Sequence, residues 1–290
     1  MTKIYLEYPD SNDVNPKGWS SATPLHLIIR QLGSQLVNKE EEADIILFNK
    51  YPMERKDFSN FRKVSKPAIV IWVTDDLQPL NMPQNYKIFR TSLCKSIKNN
   101  NEYAFSWCSP IIYKEDMYSI NNKPFDKIFN KLSIGFCGCD LHPIRKKCIQ
   151  YFEQSQINTD FVKRHTFIRG FTDQQQQKYR KEDFINNMKN NIFILAPRGG
   201  GNWSLRLYET MAYGRIPVLP LTDTVLPFED KIDWNNTIIM GNTPQELENK
   251  IVEWYNKGEE FIKNKQKLCR QVWNDYLSME GFSKHFTEYV

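Results

Sequence analysis

Short apolar runs recur along the chain, and segments with helical periodicity separate them. The clearest runs are 43–49, 68–74, 192–196 and 216–221, each apolar at nearly every position. A strand that is apolar on both sides is covered on both faces, as in the parallel sheet of an α/β protein. The alternation therefore predicts a doubly wound α/β fold. The other predicted strands are 3–8, 86–91, 133–138, 160–164 and 237–240, and the predicted helices are about 21–37, 143–155, 180–190, 203–213, 244–255 and 258–279.

One stretch, near residues 114–130, interrupts this alternation. It is polar and carries turn residues, among them the run Asn121–Pro124. A chain of 290 residues has room for two domains of ordinary size. We therefore predict one Rossmann-like domain over residues 1–125 and a second over 126–290. The helix at about 270–290 is a candidate for packing back on the first domain.

Charge and cysteine content narrow the function classes. Lys and Arg total 39 against 34 acidic residues, and this net charge of +5 suits a ligand that carries phosphates. Nucleic-acid-binding proteins usually show a stronger and more clustered basic surface. The six cysteines form no Cys-x-x-Cys pair, so we expect them to be reduced and mostly buried. We expect no signal peptide and no membrane span, and hence a cytoplasmic location, or the host cytoplasm if the source is viral.

The densest group of informative residues is 193–209, which reads as a strand, a glycine-rich loop and a helix. Gly199, Gly200 and Gly201 allow the backbone to come close to a ligand. The helix that follows offers unpaired N–H groups and a partial positive charge at its first turn. Together these features predict an anion site suited to a diphosphate.

Charged and capping side chains extend this loop. Arg198 and Arg206 add positive charge, and Asn202 or Ser204 is expected to cap the helix. Glu209 follows Arg206 by three residues and lies on the same helix face. The loop taken alone fits a plain tight turn equally well, and the Arg-Glu pair taken alone fits a surface ion pair. The pattern is neither Gly-Lys-Ser/Thr nor Gly-x-Gly-x-x-Gly.

The residues that follow make the pattern specific. Gly214–Val218 reads Gly-Arg-Ile-Pro-Val, and the later runs Leu226–Phe228 and Ile232–Trp234 read Leu-Pro-Phe and Ile-Asp-Trp. This whole segment resembles the exostosin-like glycosyltransferases of family 47. The other matching motifs are Pro197-Arg198-Gly199, Ser204-Leu205-Arg206 and Glu209-Thr210.

The resemblance implies a fold and a reaction. The fold is GT-B, in which two Rossmann-like domains face each other across a cleft. The reaction is an inverting transfer from a UDP-sugar, such as UDP-xylose, UDP-galactose or UDP-glucuronate, to a hydroxyl of an oligosaccharide or glycan acceptor. No cofactor or metal is expected, and the sequence contains no Asp-x-Asp. The N-terminal half is poorly matched and shorter than in eukaryotic members, which suggests a bacterial or viral relative.

The resemblance also assigns roles in the donor site. Arg145, in the helix after a Phe136–Gly138 loop, is implied to contact the diphosphate, and the alternative is a surface arginine. Arg198 and Arg206 are candidates for the same contact. Glu209 is expected to bind the ribose hydroxyls, because a carboxylate accepts two hydrogen bonds from a diol. Pro227 and Phe228 follow the carboxyl end of a strand, where ligands bind in such sheets.

A catalytic base is expected from the N-terminal domain. Asp75 and Asp76 follow the apolar strand 68–73, so one of them is expected to face the cleft. Glu7 and Asp10, after the first strand, are the reserve candidates. An aspartate in a loop is often only a turn former or a helix cap.

Three other functions fit parts of the sequence. A metal-dependent GT-A transferase would use Asp75 and Asp76 as ligands, and its activity would not survive EDTA. A catalytically inactive nucleotide-sugar or glycan-binding protein would bind donor without turnover. A nucleic-acid-binding protein would show steeply salt-dependent binding.

Overall fold

The molecule is built from two units, each centred on a parallel β-sheet. Our computed structural model describes residues 2–7, 32, 35–48, 63–72, 82–106, 131–164 and 174–289. Every strand pairing in these ranges is parallel, apart from one isolated bridge between the units. Helices follow the strands of the second unit in the order expected for an α/β fold.

The N-terminal unit holds a sheet of six strands in the order β2-β1-β3-β4-β5-β6. The third and fourth strands are buried at every position, which explains their continuous apolar sequences. The strands are β1 (Ile4–Glu7), β2 (Leu36–Val37), β3 (Ile45–Phe48), β4 (Ala68–Trp72), β5 (Tyr86–Arg90) and β6 (Glu102–Ala104).

The C-terminal unit holds a sheet of five strands in the order β11-β10-β9-β7-β8. Its strands are β7 (Ser133–Cys139), β8 (Asn158–Arg164), β9 (Phe193–Leu195), β10 (Ile216–Pro220) and β11 (Ile239–Gly241). The helices described in this part of the chain are α1 (Pro143–Glu153), α2 (Gln174–Asn190), α3 (Leu205–Ala212), α4 (Trp234–Thr237), α5 (Pro244–Asn256), α6 (Glu259–Val272) and α7 (Met279–His285).

Each sheet reverses its strand order at one place. In the C-terminal sheet the chain passes from β7 to β8 on one side, and β9 then adds on the other side of β7. In the N-terminal sheet the same reversal lies between β1 and β3. Open α/β sheets bind ligands at such a switch point, beyond the carboxyl ends of the strands. The β7–β9 crevice is therefore the first place to look for a ligand site.

The carboxyl edges of the two sheets face each other. The segment after β5 meets the segment after β10: Val225 N–H donates to Leu93 O at 2.9 Å and Lys95 N–H donates to Asp223 O at 2.7 Å. Both segments leave the carboxyl end of a strand, so both switch points open toward the space between the units. This arrangement of two Rossmann-like units is the GT-B architecture, and it confirms the predicted fold class.

The C-terminal helices cross from the second unit back to the first. After α6 a π-helical turn spans Trp273–Leu277, and α7 then packs against the N-terminal sheet. The ring of Phe282 lies 5.2 Å from that of Phe89 and 4.8 Å from that of Phe105. The Ser106 hydroxyl donates to Leu277 O at 2.8 Å. Aromatic packing thus joins the units a second time.

Several predicted element bounds are wrong. Residues 36–37, predicted as the end of a helix, form the edge strand β2, because they pair with β1. The helix predicted over 258–279 ends at Val272, since the backbone changes to a π-helical turn there. Strand β6 and helix α4 were not predicted, whereas α7 lies within the helix expected at about 270–290 and packs on the first unit as expected. The proposed linker at 114–130, with the 125/126 boundary, lies outside the described residues.

No helix in the described part of the chain is long and apolar enough to cross a bilayer.

Candidate active site

The glycine-rich loop follows β9 directly and leads into α3. Gly199 N–H donates to Trp203 O at 2.8 Å, which closes the loop into a compact turn. Gly200 is exposed at its tip, whereas Gly201 is buried. The loop lies at the carboxyl end of β9, next to the β7–β9 crevice, so its backbone borders the expected ligand position.

Ser204 occupies the N-cap position of α3, but its side chain makes no capping bond. The Ser204 hydroxyl oxygen is buried and has no hydrogen-bond partner among the described residues. A buried polar group without a partner costs free energy, and a ligand oxygen would remove that cost. Ser204 is thus the N-cap residue by position, as predicted, but neither it nor Asn202 donates or accepts the side-chain hydrogen bond expected of a cap.

Arg206 is held at the crevice by three contacts. One Nη donates to Glu209 Oε2 at 2.9 Å, and the other donates to Cys137 O near the end of β7. Its guanidinium carbon lies 4.3 Å from the centre of the Phe184 ring. These contacts fix the cation before any ligand arrives.

The carboxylate of Glu209 is buried beside this arginine. Burial raises the pKa of Glu209, and the charge and hydrogen bond of Arg206 oppose that rise. The carboxylate thus depends on Arg206 for its charged state. The side-chain exposures of Arg206 and Glu209 are 16% and 8%, so the pair is nearly buried and is not the surface ion pair of the alternative interpretation.

Arg145, in the first turn of α1, braces the two strand ends. Its Nε donates to Arg198 O at 2.8 Å, and its Nη1 donates to Cys139 O at 2.7 Å. Burial lowers the pKa of Arg145 to about 10, and the charge of Arg206 adds to this effect. Arg145 therefore stays protonated at neutral pH and is not the exposed surface arginine of the alternative interpretation.

Arg198 completes the group of arginines, and His142 lies beside it. Arg198 Nη2 donates to Gly200 O at 3.0 Å, while its Nε is buried without a partner in the described structure. His142 caps α1 by accepting from Ile144 N–H at 3.3 Å. Burial, with the charges of Arg198 and Arg145, lowers the pKa of His142. His142 is therefore mainly neutral at neutral pH, and a bound anion would stabilise the neighbouring charges of Arg145 and Arg198.

Asn202 lies in the loop but is occupied by other protein groups. Its Nδ2 donates to Asp223 Oδ1 at 3.0 Å and to Cys94 Sγ at 3.2 Å, and its Oδ1 accepts from the Thr222 hydroxyl at 2.7 Å. No local pattern indicates this contact, because Cys94 lies 108 positions away.

Pro227 and Phe228 are both buried. The Phe228 ring lies 5.9 Å from that of Phe282 and 5.8 Å from that of Tyr276. Pro227 O accepts a hydrogen bond from the Trp234 indole at 3.0 Å. The structure therefore places the Phe228 ring in the aromatic packing at the C-terminal crossing.

Of the four candidate bases, only Glu7 lies within the described residues. Asp75, Asp76 and Asp10 lie outside the described residues. Glu7 is the last residue of β1, at the switch point of the N-terminal sheet, and it is half-buried. The identity of the base stays a prediction.

Cysteine and metal chemistry can be judged for the described ranges alone. The cysteines there are free and buried, as predicted: Cys94, Cys137, Cys139, Cys148 and Cys269. The same ranges hold no group of three or more His, Cys, Asp or Glu side chains arranged as a metal site.

Comparisons with known proteins extend this picture. The fold defines a GT-B protein, and the arginine group lies at its β7–β9 switch point. Residues 142–257 match the sequence model of the Exostosin GT47 domain, and they contain this site except for its β7 strand end. Over these residues the C-terminal unit is similar to the Exostosin GT47 domain, which confirms the resemblance seen in the sequence.

Short segments of curated proteins are similar to this chain. Exostosin-1 of Drosophila melanogaster is 40% identical over 67 residues, which cover 23% of this chain and 9% of that protein. A probable glucuronosyltransferase of Oryza sativa subsp. japonica is 44% identical over 52 residues, 18% of this chain and 12% of the relative. A probable beta-1,4-xylosyltransferase of Arabidopsis thaliana is 45% identical over 51 residues, again 18% and 12%. The chain spans about a tenth of the length of these relatives.

Solved structures align over most of the chain but only loosely. A glycosyltransferase from Rickettsia africae aligns at 12% identity with a TM-score of 0.45, covering 99% of this chain and 89% of that chain. An alpha1,3-fucosyltransferase aligns at 11% identity with a TM-score of 0.44, covering 91% and 81%. The architecture rests on the strand order and the facing sheet edges described above.

Proposed function

We propose that the protein is an inverting glycosyltransferase that moves a sugar from a UDP-sugar to a hydroxyl of a glycan acceptor without a metal ion. One observation carries the proposal. The guanidinium groups of Arg145, Arg198 and Arg206 and the unpaired hydroxyl of Ser204 lie around the first turn of α3, at the β7–β9 switch point. This is the chemistry that a diphosphate requires.

The arginine group would stabilise the departing diphosphate. In a single displacement, negative charge grows on the leaving group as its bond to the sugar breaks. Arg206 is already fixed by Glu209, Cys137 O and the Phe184 ring, so little reorganisation is needed when that charge develops. Arg145 keeps its charge at neutral pH, and it also holds the two strand ends in place.

Glu209 would bind the ribose of the donor. Its carboxylate is oriented by Arg206, and a second oxygen remains able to accept from a ribose diol. A neutral Glu209 would lose part of this ability, so ribose binding is expected to depend on the ion pair. This role follows the family resemblance.

The base would come from the N-terminal unit. Its carboxyl edge faces the donor loop, so a carboxylate there can reach an acceptor hydroxyl between the units. Asp75 and Asp76, in the segment after β4, remain the first candidates, and Glu7 at the end of β1 is the reserve. Each is tested by its amide variant with the acceptor present.

The relatives suggest which donors to test first. Their names point to glucuronosyl and xylosyl transfer, so UDP-glucuronate and UDP-xylose lead, followed by UDP-galactose. Because the matched segments cover only 18% of this chain, the sugar itself is a proposal.

The test is a donor screen in EDTA. Purified protein is incubated with single UDP-sugars and GDP-sugars, and release of free nucleotide is measured. We expect one UDP-sugar to be hydrolysed without metal and Arg206→Lys to abolish that hydrolysis, because lysine cannot reproduce the guanidinium contacts. Lys257→Ala, on the exposed end of α5, is the matched control and should retain activity.

Each outcome has a defined meaning. Hydrolysis that requires a divalent cation would refute metal independence. Donor binding without turnover, even with glycan acceptors, would identify an inactive nucleotide-sugar-binding protein. No donor binding by calorimetry would refute the donor-site assignment. Retention of configuration, read by NMR of the product anomer, would refute inversion.

A further inference from the structure

A polar clasp joins the two units beside the glycine-rich loop. The clasp consists of segment 92–96 of the N-terminal unit, segment 222–225 of the C-terminal unit, and Asn202. The two segments run antiparallel, with Cys94 opposite Thr224. The Ser96 hydroxyl also donates to Asp223 Oδ2 at 2.5 Å. The clasp is therefore a direct hydrogen-bonded connection from one sheet edge to the other.

Asn202 is the centre of this clasp. Its backbone N–H donates to the Ser92 hydroxyl oxygen at 2.9 Å, and its carbonyl accepts from the Thr224 hydroxyl at 2.7 Å. Its side chain binds Asp223 and Cys94 as described above. Both backbone polar groups and both side-chain polar atoms are thus used, and some of their partners belong to each unit.

The centre of the clasp, around Asn202, is buried, whereas Ser96 and Asp223 at its edge are exposed. Asn202 is 1% exposed and Ser92 is fully buried. A buried hydrogen-bond network stabilises one arrangement only while every member keeps its partner. If the units separated, the Asn202 N–H would lose Ser92, and Nδ2 would lose Cys94. The loop residues just before Asn202 would then lose the anchor at their C-terminal end.

We propose that Asn202 is a positioning residue: it couples the conformation of the donor loop 199–203 to the contact between the two units. The N-terminal unit thereby holds the anion site in its binding-ready form, although it supplies none of the arginines. Asn202 acts on the donor through the loop backbone, since its own side chain is occupied. The part that concerns the donor rests on the proposed function.

The first test replaces the Asn202 amide, which donates a hydrogen bond to Asp223, with a negatively charged carboxylate. Asn202→Asp places a carboxylate about where Nδ2 now lies 3.0 Å from Asp223 Oδ1, so two carboxylates repel each other. We expect the affinity for UDP, measured by calorimetry, to fall by about tenfold or more. We also expect faster hydrogen–deuterium exchange in 92–96 and 199–203 together, because both segments depend on the clasp.

A compensating variant separates positioning from general damage. In Asn202→Asp/Asp223→Asn the amide and the carboxylate exchange places. The amide introduced at position 223 can still accept from Ser96 and can donate to the carboxylate introduced at position 202. That carboxylate can in turn accept from Thr222. We therefore expect UDP affinity and exchange protection to return toward the wild-type values. Asn235→Asp, at an exposed position on α4, is the matched control and should change neither.

Ser92→Ala supplies a milder test that keeps the charge unchanged. It removes one cross-unit hydrogen bond and leaves the Asn202 N–H buried without its partner, so UDP affinity should fall by about fivefold. This variant stays informative if Asn202→Asp does not fold.

The results distinguish the two proposals. If wild-type protein binds UDP and both Asn202→Asp and Ser92→Ala bind it equally well, the coupling is refuted. Failure of the charge exchange to restore binding also counts against it. If wild-type protein does not bind UDP, the proposed function fails, and the exchange measurement still decides whether segments 92–96 and 199–203 loosen together. Loosening of only one segment would refute the clasp.

Discussion

The substitution Arg206→Ala removes the cation that pairs with the buried carboxylate of Glu209. Removing one partner of a buried ion pair costs about 3–5 kcal/mol, because the other charge is left uncompensated. The Arg206 side chain is 16% exposed, so we expect a loss near the lower limit, about 3 kcal/mol, above neutral pH. Domains of ordinary stability tolerate such a loss and remain folded.

The size of this loss should depend on pH. In the variant, Glu209 keeps the burial that raises its pKa and loses the charge and hydrogen bond that lower it, so its native pKa rises further. The native carboxyl then holds a proton at pH values where the unfolded one, with a pKa of about 4.5, has released it. Stability therefore falls as pH rises from the unfolded pKa through the native pKa. The deficit relative to wild type is smallest in mild acid and largest above neutrality.

Urea unfolding followed by circular dichroism measures this difference. Wild type and Arg206→Ala are compared at about pH 5 and about pH 8, with Glu209→Gln and the double variant completing a cycle. In the Glu209→Gln background the pH-dependent part of the Arg206→Ala deficit should disappear. An equal deficit at both pH values would refute the view that Glu209 is the uncompensated charge.

Three further outcomes follow from buried contacts. Gly281→Ala should lower the free energy of unfolding by about 1–3 kcal/mol, because a Cβ there would lie 2.6 Å from Asn274 O, a backbone atom that cannot move freely. An unchanged melting temperature in thermal unfolding would contradict this. Glu102→Gln should cost about 3 kcal/mol or more in urea, because it removes the carboxylate charge that pairs with the fully buried Arg90 at 2.7 Å. Cys148, where burial raises the pKa to about 11, should resist iodoacetamide in the native protein and react after unfolding, as read by peptide mass spectrometry.

The elements that were predicted correctly are those that a sequence pattern within or next to the element indicates. Strand β10 was predicted at 216–221 and spans Ile216–Pro220, because its apolar run is bounded by Gly214 and by polar residues. Helix α5 has Thr243 as its N-cap and Pro244 in its first turn, a local signal of a helix start. In such segments periodicity and capping residues contain enough information.

The elements that were missed depend on distant partners. Strand β6 begins with Glu102, a poor strand residue, and its burial is possible because Arg90 pairs with it at 2.7 Å. Strand β2 is only two residues long and forms by pairing with β1. No local pattern shows such long-range pairings.

The candidate site shows the same division. Arg198, Arg206 and the glycine-rich loop were found because they form one continuous motif in the sequence, whereas Arg145 was found only through the family resemblance. The use of Asn202 was not found, since its partner Ser92 is 110 positions away. A polar residue in a ligand loop fits a ligand contact and an internal contact equally well, and only the fold distinguishes them.

The crossing of α7 has a consequence for synthesis on the ribosome. Phe282 and Phe286 complete the aromatic core around Phe89, so the first unit to be translated cannot close that core alone. The apolar surface of the N-terminal sheet therefore stays exposed until about two hundred further residues have been synthesised. This takes tens of seconds at ordinary translation speed. The protein is therefore most prone to aggregation and to chaperone binding during its synthesis, while this aromatic surface is exposed.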